Sequence, residues 1–299
     1  VGITAGRPEH PLFKLALERD RVGRLVGERV DVPHDQSVPV LRRFRHDHGG
    51  RVVGVDDQRW GYSERSDDHV SRLLSEVHGE VARAYRYARA GYVAARKAPA
   101  RFEALEADPG NRVTKDQFAS YRYDERGRRV AEQHEEASGR RFSYDARELL
   151  TAVERPDGTR IEYDYDGLGR RRLRRLLDSD GQVTAMTGFL WDGDDLCAEI
   201  PVADPQAGMD VQAAVARGAM RVFVCHPLSK TPLLQSQRGQ VFTAVCDTVG
   251  VVKELIDGRG RLAWAAKHDA YGSVLEAFHD EALARRRGDR HECAQRVAG

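Results

Sequence analysis

Apolar and charged positions alternate strictly over residues 160–165, where Ile161, Tyr163 and Tyr165 are separated by Arg160, Glu162 and Asp164. Residues two apart on a strand share a face, so the pattern predicts a strand with one apolar and one wet side. Tyr121 with Tyr123, and Phe142 with Tyr144, repeat the spacing. An Asp follows each pair, and a carboxylate at the head of a four-residue turn can accept backbone N–H groups. A Gly at the fourth position tolerates positive φ. The unit aromatic-x-aromatic-Asp-x-x-Gly-Arg is intact at Tyr121, Tyr123, Asp124, Gly127, Arg128 and at Tyr163, Tyr165, Asp166, Gly169, Arg170. Between them lie Tyr144 and Asp145, with Glu148 in the glycine's place.

Asp124, Asp145 and Asp166 recur at intervals of 21 residues. Upstream, Phe44, His46, Asp47, Gly50 and Arg51 fit the unit, followed by Asp68 with Ser71 and Arg72, and by Tyr85, Tyr87 and Gly91. Asp20, Gly23 and Arg24 form a weaker first copy. Each period therefore predicts two short strands and two turns, a stacked repeat architecture. Over 121–196 antiparallel strands are expected, reversing at Asp124–Gly127, Asp145–Glu148, Pro156–Thr159 and Asp166–Gly169. Three stretches richer in Ala, Glu, Arg or Leu break the rhythm, at 70–84, 92–108 and 210–220, and short helical insertions are expected there. The fold class that results is mostly β, an antiparallel strip with short helical insertions.

Composition narrows the picture further. Of 299 residues, 40% are apolar, enough for a core, and 48 basic against 47 acidic residues leave no global field toward nucleic acid or membrane. Apolar runs long enough to span a bilayer, and a signal-peptide pattern, are absent. Cys197, Cys225, Cys246 and Cys293 lack CxxC spacing, so reduced thiols are expected rather than a zinc ribbon or a disulfide framework. The chain starts at Val1 and its first Met is Met186, so a piece of a longer protein is expected.

The intact units resemble the YD repeats of Rhs and teneurin-type proteins. Phe189-Leu190-Trp191-Asp192-Gly193-Asp194-Asp195-Leu196 resembles the segment that closes the bacterial Rhs repeat array, and Val222 to Pro227 with Thr231-Pro232-Leu233 resembles the segment that follows. Cys246-Asp247-Thr248-Val249-Gly250, Glu254-Leu255, Asp257, Gly260, Trp264 and Asp269-Ala270-Tyr271-Gly272 resemble the core stretch of Rhs polymorphic toxins. The resemblance spans roughly residues 15–278 and divides the chain into degenerate repeats (1–120), clear repeats (121–200), a core-associated β segment (201–278) and a tail (279–299). It implies a β-strip coiling toward a hollow shell around a C-terminal toxin. In bacteria such a protein is made in the cytoplasm and delivered by a secretion apparatus, among them type VI secretion. The terminal arginine- and tyrosine-rich motif and Asp-Pro autocleavage signature of the family are not found here, and Ala88 and Glu148 replace turn residues, so a degenerate or truncated copy is expected.

GxSxG, Walker, HExxH and CxxC signatures are all absent. Cys225 with His226, and His291 with Cys293, are the nearest approach to a metal or nucleophile pair; the first two are adjacent and on an extended strand point to opposite faces, and the second pair lies in the poorly patterned tail. The run Arg170-Arg171-Arg172 with Arg174-Arg175 sits in a stretch, 126–175, with 13 Arg but also 10 acidic residues, which suits a cross-strand-paired face better than a phosphate site. No catalytic residue, cofactor or metal is therefore assigned, and no specific nucleic-acid binding is expected. The residues singled out are structural: Asp47, Gly50, Tyr121, Tyr123, Asp124, Gly127, Tyr144, Asp145, Tyr163, Tyr165, Asp166, Gly169, Asp192, Asp247, Gly250, Tyr271 and Gly272. Two functions are carried forward, a shell around an effector, and a module that binds carbohydrate or a cell surface through open Tyr and Arg faces.

Overall fold

In the computed structural model, residues 2–280 are described, apart from 8–9, 34–36, 89–90, 92, 99–100, 117, 135–138, 203, 205–208 and 248. The chain divides into two compact units, 1–103 with 242–299, and 104–241. The first holds β1 (Gly2–Arg7), β2 (His10–Arg19), β3 (Leu25–Val32), β4 (Ser37–His46), β5 (Val52–Asp57), β6 (Gly61–Asp67), β7 (Leu73–His78), β8 (Val81–Tyr87), β9 (Val93–Ala98) and β10 (Arg101–Ala104). The second holds β11 (Glu106–Ala107), β12 (Val113–Lys115), β13 (Ala119–Tyr123), β14 (Arg129–His134), β15 (Arg140–Tyr144) and β16 (Leu150–Glu154). It continues with β17 (Arg160–Tyr165), β18 (Arg171–Leu177), β19 (Val183–Asp192), β20 (Asp195–Val202), helix α1 (Val211–Ala216), β21 (Arg221–Cys225) and β22 (Pro232–Gln237). The chain then returns to the first unit with β23 (Gln240–Cys246), β24 (Val252–Asp257), β25 (Leu262–His268) and β26 (Val274–His279).

Neighbours in sequence are neighbours in the sheet throughout β1–β10, β11–β22 and β23–β26. The paired strands run antiparallel, as in β17 with β18, where Ile161 faces Leu176 and Tyr163 faces Arg174. Such a meander needs only short reversals, which the Asp-led turns supply.

The mostly β antiparallel architecture matches the expectation, but among the described residues two of the three helical insertions are absent. Residues 70–84 form a turn and the β7–β8 hairpin, and 92–108 contribute β9, β10 and β11. Helix propensity is a weak prior, and cross-strand pairing overrides it: Ser75 faces Ala84 and Glu76 faces Arg83, while Gly79, at φ 60°, reverses the chain between His78 and Val81. In the third stretch α1 does form, N-capped by the Asp210 carboxylate, which accepts the Ala213 N–H at 2.9 Å. The reversal expected at Pro156–Thr159 begins one residue earlier, since Gly158 N–H donates to Arg155 O and Arg155 N–H to Thr159 O. The expected tail at 279–299 lies outside the described residues from 281 on, as do His291 and Cys293.

In the first unit, Phe13, Val30, Val32 and Val40 from β2–β4 pack with Val245, Ile256, Leu262 and Ala265 from β23–β25. A second cluster, Phe242, Val252, Leu255, Ala263, Trp264 and Ala266, lies within β23–β25. Successive residues Leu255 and Ile256 belong to different clusters, so β24 is buried on both faces even though Lys253, Glu254 and Asp257 stand among its apolar residues. The second unit has a thinner core of buried small and medium side chains, among them Ala119, Ala152, Met186, Phe189 and Ile200. Strand β17 shows why: all six of its residues are half-buried, so the wet and dry sides expected from its alternation are not separated by burial. Its Tyr163 ring lies under the Arg171 guanidinium rather than in an apolar cluster.

Candidate functional site

The repeated element is a side-chain clamp at each Asp-led turn. At Asp124, the turn is closed by Gly127 N–H donating to Asp124 O and by Asp124 N–H donating to Arg128 O, both at 3.0 Å. The carboxylate then accepts the N–H groups of Arg126 (3.0 Å) and Arg128 (2.9 Å) on one oxygen and Arg128 Nε (2.7 Å) on the other. The N–H of the residue four positions on is the largest influence holding the carboxyls of Asp47, Asp124 and Asp145 below their ordinary range. Gly127 sits at φ 81°, a conformation that L side chains rarely adopt. One register slip accompanies the turn, between Arg122 and Tyr123, where the extra residue forms a bulge.

The clamp also reaches the next repeat. Arg128 Nη1 donates to Asp145 O at 3.3 Å, and its guanidinium lies 5.0 Å from the centre of the Tyr144 ring. Tyr144 reciprocates by donating its hydroxyl to Arg129 O at 2.9 Å. The same exchange recurs with Arg112 over Tyr123, whose hydroxyl donates to Val113 O, and with Arg72 over Tyr87, whose hydroxyl donates to Leu73 O. Tyr165 donates to Leu150 O at 2.7 Å, and there Arg147, two residues after Asp145, replaces the missing arginine and donates to Asp166 O at 3.0 Å. Aromatic, Asp and Arg of the unit thus form one device: Asp shapes the turn, Arg joins it to the following turn, and Tyr ties its strand back to the preceding repeat.

The residues singled out in the sequence take these positions. Asp47 and Gly50 make the turn after β4, with Arg51 Nε donating to Asp47 at 2.7 Å. Asp166 and Gly169 repeat it with Arg170. Glu148 occupies the glycine position at φ 68°. Tyr121 faces the other way, donating to Asp116 at 2.9 Å with Arg129 over its ring, and burial and the Asp116 bond push its hydroxyl up to about 12. Tyr163 lies under the Arg171 guanidinium at 4.3 Å. Asp192 departs from the pattern: it ends β19 opposite Asp195 in a two-residue hairpin, while Trp191 takes the tyrosine's part by donating Nε1–H to Arg171 O. Asp247 and Gly250 form the same turn without an arginine, Lys253 standing 3.7 Å away. Tyr271 is exposed in the Asp269–Gly272 turn and meets the Tyr85 ring edge-on at 5.4 Å.

Two buried ionic nodes in the first unit join strands far apart in sequence. Arg42 on β4 donates Nε to Asp57 (2.6 Å), Nη1 to Glu28 (2.9 Å) and Nη2 to Glu254 on β24. Glu76 on β7 accepts from the Tyr85 hydroxyl, from the Ala270 N–H at 3.0 Å and from His78, while Arg83 pairs with Asp269 at 2.8 Å. Burial pushes the Glu76 carboxyl up, but these hydrogen bonds outweigh it and hold it at about 2. A cavity of about 480 Å³ is lined by parts of both nodes, including Arg42, Asp57, Glu76 and His78. Among the described residues no group of three His, Cys, Asp or Glu is placed to hold a metal ion. Cys197, Cys225 and Cys246 are not joined in disulfides, and His226 is a turn cap, its Nδ1 accepting the N–H groups of Leu228 and Ser229.

The profile of the Teneurin YD-shell family matches residues 20–187, the stretch that carries most of the clamps. The chain belongs to the teneurin YD-shell family. A second profile, described as RHS protein, matches residues 245–277, which include β24 and β25. Among curated proteins, Toxin protein Tse5 of Pseudomonas aeruginosa is 28% identical over 78% of this chain and 21% of its own length. Probable deoxyribonuclease RhsB of Dickeya dadantii is 29% identical over 61% of this chain and 13% of its own, and Double-stranded DNA deaminase toxin A of Burkholderia cenocepacia 26% over 85% and 19%. The chain thus spans about a fifth or less of each of these relatives. In the crystal structure of TcdB2-TccC3-Cdc42 the fold is shared at a TM-score of 0.69 and 14% identity, over 91% of this chain and 15% of that one. The Photorhabdus luminescens Tc holotoxin pore gives 0.66 and 13%, over 93% and 15%.

The YD-shell unit was only partly legible beforehand. Asp108 with Asn111 and Arg112, Asp178 with Gly181, and Asp257 with Gly260 and Arg261 form the same turn, and a scan for Asp followed four residues on by Arg, without requiring the aromatic pair, finds the first and third. The two ionic nodes of this YD-shell chain carry no such local signal, since their partners are brought together by the sheet.

Proposed function

We propose that this chain is a stretch of shell wall from a YD-repeat toxin, enclosing or presenting an effector domain and performing no catalysis itself. The observation that carries the reading is the clamp: tyrosine, aspartate and arginine, the side chains best suited to chemistry or recognition, are used up in holding each turn to the next. Toxin relatives many times longer than this chain support an effector lying elsewhere in a longer parent, with synthesis in the bacterial cytoplasm followed by delivery through a secretion apparatus such as type VI. The profile matches and the shared fold with toxin structures support the wall role.

The carbohydrate-binding alternative needs open aromatic faces. The rings of Tyr62, Tyr87, Tyr121, Tyr123, Tyr144 and Tyr163 each carry a guanidinium within 5.3 Å of the ring centre, which argues against stacking on a sugar. The test is to produce residues 1–299 and assay DNA, RNA and peptidoglycan with and without divalent metal, alongside a glycan array and sedimentation. The wall reading expects no turnover, no saturable glycan binding, and self-association through unpaired strand edges. Turnover by a soluble monomer overturns it, and saturable glycan binding favours the alternative.

A further inference from the structure

We propose that Glu28, Arg42, Asp57 and Glu254 form a proton-operated latch within the first unit, which ties β24 to β3–β5 while it holds a proton and loosens when that proton leaves. The inference is independent of the shell reading. Its basis is a charge imbalance in a dry place: one guanidinium faces three carboxylates, and the four side chains are 8%, 5%, 11% and 2% exposed for Arg42, Glu28, Asp57 and Glu254. A buried ion pair is tolerable when charges and hydrogen bonds balance, and two surplus negative charges in such a site are not.

The surrounding groups do not restore the balance: Lys267 on β25, which lines the same cavity, is engaged by Trp60 O and by Glu276, both at 3.4 Å. Lys253 precedes Glu254 on β24 but stands 3.7 Å from Asp247 and 3.2 Å from His268 Nδ1 on β25, so its charge is engaged beside the cluster rather than in it. Asp247, in the turn before β24, adds a further negative charge that acts on Glu28. The hydrogen bonds show which carboxyl keeps the proton. Both oxygens of Asp57 are already engaged, Oδ2 by Arg42 Nε and Oδ1 by the backbone N–H groups of Arg59 (2.8 Å) and Trp60 (3.0 Å). Glu254 offers one oxygen to Arg42, and among the described residues its buried Oε2 has no hydrogen-bond partner. That oxygen is the place where an extra proton removes charge without breaking a bond to the guanidinium.

Burial pushes the Glu254 carboxyl up to about 7 against the pull of Arg42, and Glu28 is raised for the same reason. A carboxyl raised above its unfolded value of 4.5 contributes stability that is fully present below 4.5 and is lost as pH rises toward 7. The latch is therefore closed in mild acid and loosened at alkaline pH, and its release acts on the ionic contact between Arg42 on β4 and Glu254 on β24, 212 residues apart.

The experiment uses the full chain and follows backbone amide exchange at pH 5 and pH 8, corrected for intrinsic rates. Protection of β24 amides is expected to fall about tenfold or more between the two, while protection of β17 in the other unit stays constant. In Glu254→Gln, which keeps the shape and removes the titration, the pH dependence of β24 should vanish. The proposal is overturned if β24 and β17 change together, if β24 does not respond, or if Glu254→Gln responds like the unaltered chain. Should that variant not fold, a carbon NMR titration of the Glu254 carboxyl in the unaltered chain decides: a midpoint near 7 supports the latch, and one in the ordinary glutamate range rejects it.

Discussion

Glutamate at position 148 stands where the repeat uses glycine, and its backbone is held at φ 68° against 80° for Gly169 in the next repeat. A residue with a Cβ in this region costs about 1–2 kcal/mol, whereas glycine gives back about 0.4–1 kcal/mol through the greater freedom of the unfolded chain. Glu148 also lies 3.7 Å from Arg126, both more than half exposed, a contact that screening reduces to a few tenths of a kcal/mol. Glu148→Gly should therefore stabilise the chain by about 0.5 kcal/mol, and Gly169→Ala should destabilise it by about 1 kcal/mol. The Gly169 site is not crowded, a Cβ meeting only Leu149 at 3.7 Å, so the loss in that variant is conformational rather than steric. Urea unfolding resolves the pair, since a slope of about 1–3 kcal/mol per molar places the alanine variant's midpoint some tenths of a molar lower. If Glu148→Gly lowers the midpoint as much as Gly169→Ala does, the turn does not require a left-handed residue at its fourth position and the clamp geometry is misread.

Removing the hydroxyl in Tyr165→Phe deletes the bond to Leu150 O and is expected to cost about 1 kcal/mol in the same melts with the slope unchanged. Tyr163→Ala should destabilise more than Glu162→Ala, by about 1–2 kcal/mol, because the half-buried ring also supports Arg171; coincident midpoints would show that the ring carries no load. The Glu76 carboxyl, held at about 2 against an unfolded value of 4.5, contributes stability that is present above 4.5 and is lost as pH falls toward 2. About 3 kcal/mol is at stake. Acid titration of the unaltered chain should show that loss, and Glu76→Gln should lack this part of the pH dependence.

Turn and strand chemistry is local, and the sequence alone determined it. Asp at the first position, a residue able to adopt positive φ at the fourth and Arg at the fifth carry their own hydrogen-bonding geometry, so Asp47, Asp124, Asp145 and Asp166 could be placed in turns from their neighbours. The regular spacing of those turns determined that the strands between them pair in order. Where the local signal was propensity rather than geometry, tertiary structure prevailed: the Ala-, Arg- and Glu-rich stretches around Ser75–Ala84 and Val93–Ala98 became strands because adjacent strands offered backbone partners to every second residue. The burial of β24 on both faces and the meeting of Arg42 with Glu254, or of Glu76 with the Ala270 amide 194 residues away, were decided only by the fold. A charged side chain in a sequence looks solvated, and the placement of distant strands in the first unit is what puts Glu28, Arg42, Asp57 and Glu254 out of reach of water, where one shared proton acquires consequences.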